Sequence, residues 1–154
     1  MKCLYLMRHG TAAHLEPGDK KPLTSTGREE VSLCAERFKQ RLQATDWPAL
    51  SQVVSSDLLR ARQTAEIMAE SLGWTGQLQL NNCLMPNSLP AEVEQSLPHE
   101  VSGWLLVSHQ PLLRAMVGYL CDQDVYQETA WLVVLEGEIF GQGLWQLREV
   151  IEPR

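Results

Sequence analysis

The sequence has no Cys-x-x-Cys pair, no basic block and no apolar stretch long enough to cross a membrane. Its four cysteines, Cys3, Cys34, Cys83 and Cys121, are scattered, which excludes the close ligand pairs of a structural zinc site. A chain of 154 residues is also much longer than a disulfide-stapled secreted domain. The apolar run from Cys3 to Met7 meets Arg8 directly and is too short for a signal-peptide core or a membrane span. Basic residues are outnumbered, 13 against 19, for a formal net charge of −6, so no nucleic-acid partner is implied. Low-complexity tracts and internal repeats are missing too. These absences together lead us to expect a soluble protein of a reducing, cytoplasmic compartment with no membrane attachment.

What is present is a chain of 44% apolar residues, enough for one core and one domain over residues 1–154. Cys3 to Met7 reads as a strand buried on both faces. Thr24 is placed to cap a helix with Val31, Cys34, Ala35, Phe38 and Leu42 on its inner stripe. Val53 and Val54 centre a second strand, and Ser56 is placed to cap a second helix carrying Leu58, Ala61, Ala65, Met68 and Leu72, stopped at Gly73. Residues 77–84 form a weaker strand candidate, and Ala91 to Leu97 a short amphipathic piece. Trp104 to Val107 is another fully apolar strand, followed by a helix that starts near Pro111. Trp131 to Leu135 and Leu144 to Leu147 pattern as a hairpin. Strand and helix alternating in this order predict an α/β fold, a mainly parallel sheet covered on both faces.

Three of these strands run straight into polar residues: Arg8-His9-Gly10, Ser55-Ser56 with Arg60 just beyond, and Ser108-His109. The carboxyl ends of parallel strands share one edge, where ligands bind. Singly, each residue is an ordinary turn, cap or surface residue; jointly, two Arg and two His converge with only Asp57 to offset them. Arg8 and Arg60 offer planar, bidentate donors suited to phosphate oxygens. Helix N-termini at Ser56 and near Gln110 would add backbone N–H groups. His9 among cations should stay neutral and nucleophilic, with His109 and the arginines stabilising charge on a transferring phosphoryl group. No carboxylate is placed to complete a metal site, and the arginines would repel a cation. No cofactor is called for. His14 and His99 lack this placement and read as surface residues.

The motifs Leu6-Met7-Arg8-His9-Gly10, Pro22-Leu23-Thr24-x-x-Gly27, Ser56-x-x-x-Arg60-Ala61-x-Gln63-Thr64 and Val107-Ser108-His109-x-Pro111 resemble the histidine phosphatase superfamily, with its phosphoglycerate-mutase-like fold. The compact size, Leu84-x-Pro86 and the Ser-His-x-Pro form are most similar to the SixA-type phosphohistidine phosphatases. The resemblance implies a three-layer α/β/α sandwich, His9 as nucleophile, and Arg8, Arg60 and His109 as the phosphate pocket, without a metal; the short stretch from Leu72 to Trp104 leaves no room for a cap domain.

Larger members of that superfamily carry a catalytic carboxylate shortly after the third strand. Here residues 82–88 contain no acid, and Glu92 is the first. An alkoxide leaving group needs a proton, whereas an imidazole, with a reference pKa of about 6.5, leaves without much help. The expected substrate is therefore a phosphohistidine displayed on a protein, such as a histidine-phosphotransfer domain. Asp19 and Lys21, on the loop after the nucleophile, are the candidate proton donor and substrate contact. The alternatives are a general phosphomonoesterase for small molecules or phosphopeptides, and a phosphate-binding module without catalysis.

Overall fold

Continuous apolar strands need cover on both faces, and the chain supplies it with helices. The computed structural model describes residues 2–14, 17 and 20–154. Within them lie the strands β1 (Lys2–Arg8), β2 (Gln52–Ser55), β3 (Gln79–Leu80), β4 (Trp104–Ser108), β5 (Leu132–Gly137) and β6 (Gln146–Ile151). The helices are α1 (Ser25–Ala44), α2 (Leu59–Ser71), α3 (Pro90–Ser96) and α4 (Leu112–Cys121). One sheet runs in the order β3-β2-β4-β1-β5-β6. The first four strands in that order are parallel, and the predicted terminal hairpin adds β5 antiparallel to β1 and β6 antiparallel to β5.

Alternation along β1 divides the molecule into layers. Cys3, Tyr5 and Met7 pack with Val31, Cys34 and Phe38 of α1 and Ala61, Ala65 and Met68 of α2. Leu4 and Leu6 point the other way, to Val93 of α3 and Leu112, Leu113, Met116, Val117 and Leu120 of α4. Each fully buried side chain of this size contributes about 1.5–3 kcal/mol. The central strands are therefore fixed in register and can hold their carboxyl-end turns rigidly. Among the described residues, no helix is long and apolar enough to cross a membrane.

Two local readings need correction. The segment 77–84 is a strand only at Gln79–Leu80, with Leu80 exposed. Its end turns into a single 3-10 turn, Asn82–Leu84, because the Asn81 side chain accepts from Cys83 N and drops Leu84 into the core. Ser56 does not cap α2: Leu58 occupies that position, without a side-chain cap bond. Thr24 does cap α1, accepting from Gly27 N at 2.9 Å.

Candidate active site

The sheet register brings the three polar turns together. Arg8 ends β1 opposite Ser108 of β4. The ladder then runs on past the strands, His9 N donating to Ser108 O at 3.2 Å and Ser56 N to Val107 O at 3.2 Å. The N–H of Ser56 itself is thus committed to the sheet. Arg60 is the second residue of α2, nearer the helix start than the Ser56 cap implied.

His9 is 9% exposed, and its Nδ1 lies 2.7 Å from the carbonyl oxygen of Gly10. A carbonyl only accepts, so Nδ1 carries the hydrogen and Nε2 keeps its lone pair. Burial is the largest cause of a pKa pushed down to about 4; the Gly10 carbonyl opposes the shift, and Arg60 and Arg8 add to it. The neutral imidazole expected from sequence is present, with burial rather than the cations as its main cause. His109 is 2% exposed and lowered in the same way, by burial first and then by His9, Arg60 and Arg8. Its Nε2 lies 2.5 Å from Ser56 Oγ, and its buried Nδ1 has no hydrogen-bond partner among the described residues. The two imidazole centroids are 5.0 Å apart.

A cavity of about 390 Å³ is walled by Arg8, His9, Arg60 and His109 together, with Lys21, His14 and Gln110 also on its lining. All four expected pocket residues therefore meet. Gln110 reaches the cavity, but its side chain is engaged elsewhere, Oε1 accepting from Arg114 N and Nε2 donating to Gln127 O. His14 is exposed, as expected, yet it lines the cavity, which its sequence position did not suggest. Asp19 lies outside the described residues. No carboxylate is found among the described residues of the lining. Glu92 instead accepts from Leu89 N at 2.8 Å, at the start of α3.

Residues 4–85 match the histidine phosphatase superfamily (branch 1). The chain belongs to that superfamily. A probable phosphoglycerate mutase GpmB of Photorhabdus laumondii subsp. laumondii is 35% identical over 75 residues, 46% of this chain and 32% of the relative. An uncharacterized protein of Picosynechococcus sp. is 43% identical over 70 residues, 43% of this chain and 39% of that one. The chain thus spans well under half the length of these two relatives. Among solved structures, the protein histidine phosphatase SixA complexed with tungstate has a TM-score of 0.83 at 24% identity, over 98% of this chain and 97% of that one. A SixA structure from Agrobacterium tumefaciens has a TM-score of 0.78 at 22% identity, over 99% of both chains. These likenesses establish the fold.

In this member of the histidine phosphatase superfamily, the motif residues around the pocket hold the loop after His9. Gly10 N donates to Thr64 Oγ1, which donates in turn to Arg60 O. Gln63 Oε1 accepts from Leu23 N at 2.8 Å. Thr24 N donates to Thr11 O, and a side chain at Gly27 would collide with that same oxygen. Sequence reasoning missed Glu30, whose carboxylate accepts from Thr11 N, Thr11 Oγ1 and Thr129 Oγ1. The available signal was an acid one helical turn after Gly27, beside the inward-facing Val31. It also missed Tyr126, whose ring lies 5.8 Å from the Arg8 guanidinium carbon, and Gln127, which no motif marks.

Proposed function

We propose that the chain is a phosphatase that works through a phospho-His9 intermediate and that its substrate is a phosphohistidine on another protein, a histidine-phosphotransfer domain being the fitting class. The observation that carries this reading is the state of His9: buried, neutral, with the lone pair on Nε2, on a cavity walled by Arg8, Arg60 and His109. In the first step the Nε2 lone pair forms a bond to phosphorus while the bond from phosphorus to the substrate imidazole breaks; the departing nitrogen keeps that electron pair and leaves as neutral imidazole, whose other ring nitrogen carries the proton. Arg8 and Arg60 offset the charge spread over the three equatorial oxygens. In the second step water attacks phosphorus and the bond to Nε2 breaks, releasing inorganic phosphate and regenerating neutral His9.

The lack of a carboxylate among the described lining residues supports a phosphoramidate, since a departing imidazole makes little demand on an acid. Between α2 and β4 stand only a two-residue strand, one 3-10 turn and the seven-residue α3, which supports an open site able to receive a side chain displayed on a protein. The test is release of phosphate from a phosphohistidine protein, compared between wild type and His9→Ala, with an acid-free quench to trap phosphorylated His9. Equal slow release by both proteins overturns the reading; tight binding without turnover would favour a binding module. A general phosphomonoesterase is the second reading, favoured by Lys21 and His14 on the cavity lining, either of which could carry a proton toward an alkoxide.

A further inference from the structure

Between α4 and β5 the chain returns past the site in an irregular segment, and in it lies a polar side chain that is fully buried. Gln127 is 0% exposed. Its Nε2 donates to Leu6 O at 3.1 Å and to Trp131 O at 3.0 Å. Its own backbone carbonyl accepts from Arg8 Nη1 at 3.1 Å and from Gln110 Nε2 at 3.1 Å. One residue thus bridges β1 and the residue before β5 through its amide, and the Arg8 guanidinium and the turn after β4 through its carbonyl. Its Oε1 has no partner among the described residues, so the side chain is held entirely by what it donates.

We infer that Gln127 is a positioning residue that fixes the Arg8 guanidinium for an incoming phosphoryl group, an inference that rests on the phosphate-site reading given above. An arginine is a planar fork, and its usefulness to a tetrahedral oxyanion depends on which way the fork is turned. The Gln127 carbonyl fixes one corner of the fork through Nη1. The side-chain amide, tied to Leu6 O and Trp131 O, holds the residue from within, while Ala130 N, donating to Arg8 O and His9 O, anchors the segment three residues on. Ordering Arg8 before the ligand arrives removes that cost from the binding step. Gln110, bonded to the same carbonyl, is steadied by the same tie.

A purely structural amide would cost stability and nothing else, and a double-mutant cycle separates the two roles. Binding of inorganic phosphate to the full chain is measured by calorimetry for wild type, Gln127→Met, Arg8→Lys and the double variant, with phosphoramidate turnover alongside. Gln127→Met keeps the volume and removes both donors. It is expected to weaken phosphate binding on the order of tenfold in the wild-type background. In the Arg8→Lys background the same change should have an effect below about twofold. The same loss of affinity in both backgrounds, or a lowered melting temperature with unchanged phosphate affinity, overturns the inference. If Gln127→Met does not fold, Gln127→Asn, which keeps the amide but is one methylene short, is measured against the same criterion. Weakening by Arg8→Lys with none from Gln127 variants overturns only the positioning role. No change from Arg8→Lys overturns the phosphate-site reading as well.

Discussion

Ser56 Oγ sits 2.5 Å from Nε2 of His109, where the ends of β2 and β4 meet. The same hydroxyl oxygen accepts from Leu58 N at 3.4 Å, which leaves its hydrogen free to point at the imidazole. With Ser56 donating, Nε2 is the acceptor and the hydrogen of neutral His109 rests on Nδ1, the nitrogen without a partner among the described residues. A phosphate oxygen would then find a donor there. Ser56→Ala should release this choice of tautomer and lower kcat/KM for a phosphoramidate by roughly tenfold, the value of one buried hydrogen bond of about 1–1.5 kcal/mol. Unchanged kinetics in Ser56→Ala would show that the tautomer of His109 is set by something else.

The depressed pKa of His9 predicts how both activity and stability respond to acid. An unperturbed imidazole titrates near about 6.5, but His9 is pushed down to about 4. The acid limb of kcat/KM should therefore fall near pH 4 to 5, after subtraction of spontaneous hydrolysis, and not near 6.5. For stability, the unfolded chain binds the His9 proton between pH 6.5 and 4 and the folded chain does not. Stability thus rises with pH through that window and is lost as pH drops through it, at roughly 1.4 kcal/mol per unit. His109, shifted in the same direction, steepens the loss. Denaturant melts of wild type and His9→Asn over this range should show a shallower slope in the variant.

Gly27 should be among the least replaceable residues in α1. A Cβ there would run into the backbone oxygen of Thr11, and one at Gly10 would lie 2.7 Å from Gly27 O. The helix and the loop after His9 meet at these glycines largely backbone against backbone, with the β-branched Val31 side chain also 2.9 Å from a Cβ at Gly10. Gly27→Ala is expected to destabilise by about 3 kcal/mol and to reduce turnover, since the loop it displaces begins at His9. Gly118 offers the contrast. It lies inside α4, and its added Cβ would meet only Gln123 O at 3.7 Å, an ordinary contact. Gly118→Ala should leave activity alone and stabilise by about 0.5–1 kcal/mol. Chemical denaturation of both variants checks the pair.

The parts of this fold that can be read from sequence are those where one physical demand governs each residue. Leu4, Leu6, Leu105 and Leu106 are buried on a two-faced sheet, so their strands appear as unbroken apolar runs. The residues that terminate those strands, Arg8, His9 and His109, are legible because polar groups at a strand end have few structural reasons to be there. Where two demands compete, the pattern misleads. Ser56 precedes an apolar stripe as a capping residue would, yet its hydroxyl belongs to His109. Glu30 shows only as an acid one helical turn after Gly27, and no motif marks Gln127. Their partners lie 19 and 121 positions away in sequence, and only the folded sheet brings them beside the nucleophile loop.

The identity of the leaving group is where substrate and chemistry are most tightly linked. On the proposed reading Arg8 and Arg60 offset the charge of the phosphoryl group, and an arginine is not a proton donor for a leaving group. Among the described residues of the lining, Lys21 and His14 are the side chains on hand for that, and no carboxylate joins them. A phosphoramidate of imidazole loses a nitrogen whose conjugate acid has a pKa of about 6.5, so bond breaking runs well ahead of any need for an acid. An alkyl phosphate loses an alkoxide and stalls without one. Across phosphate monoesters graded by leaving-group basicity, kcat/KM should fall steeply, with phosphoimidazole compounds turned over fastest. His14→Gln and Lys21→Met should leave the phosphoimidazole rate within about threefold of wild type, because no proton from either is required in that transition state. A series in which alkyl phosphates turn over as fast as phosphoimidazoles would establish a working acid. Adding Asp19→Asn to the two variants above would then identify which of the three residues supplies the proton, and the protein would be a general phosphomonoesterase.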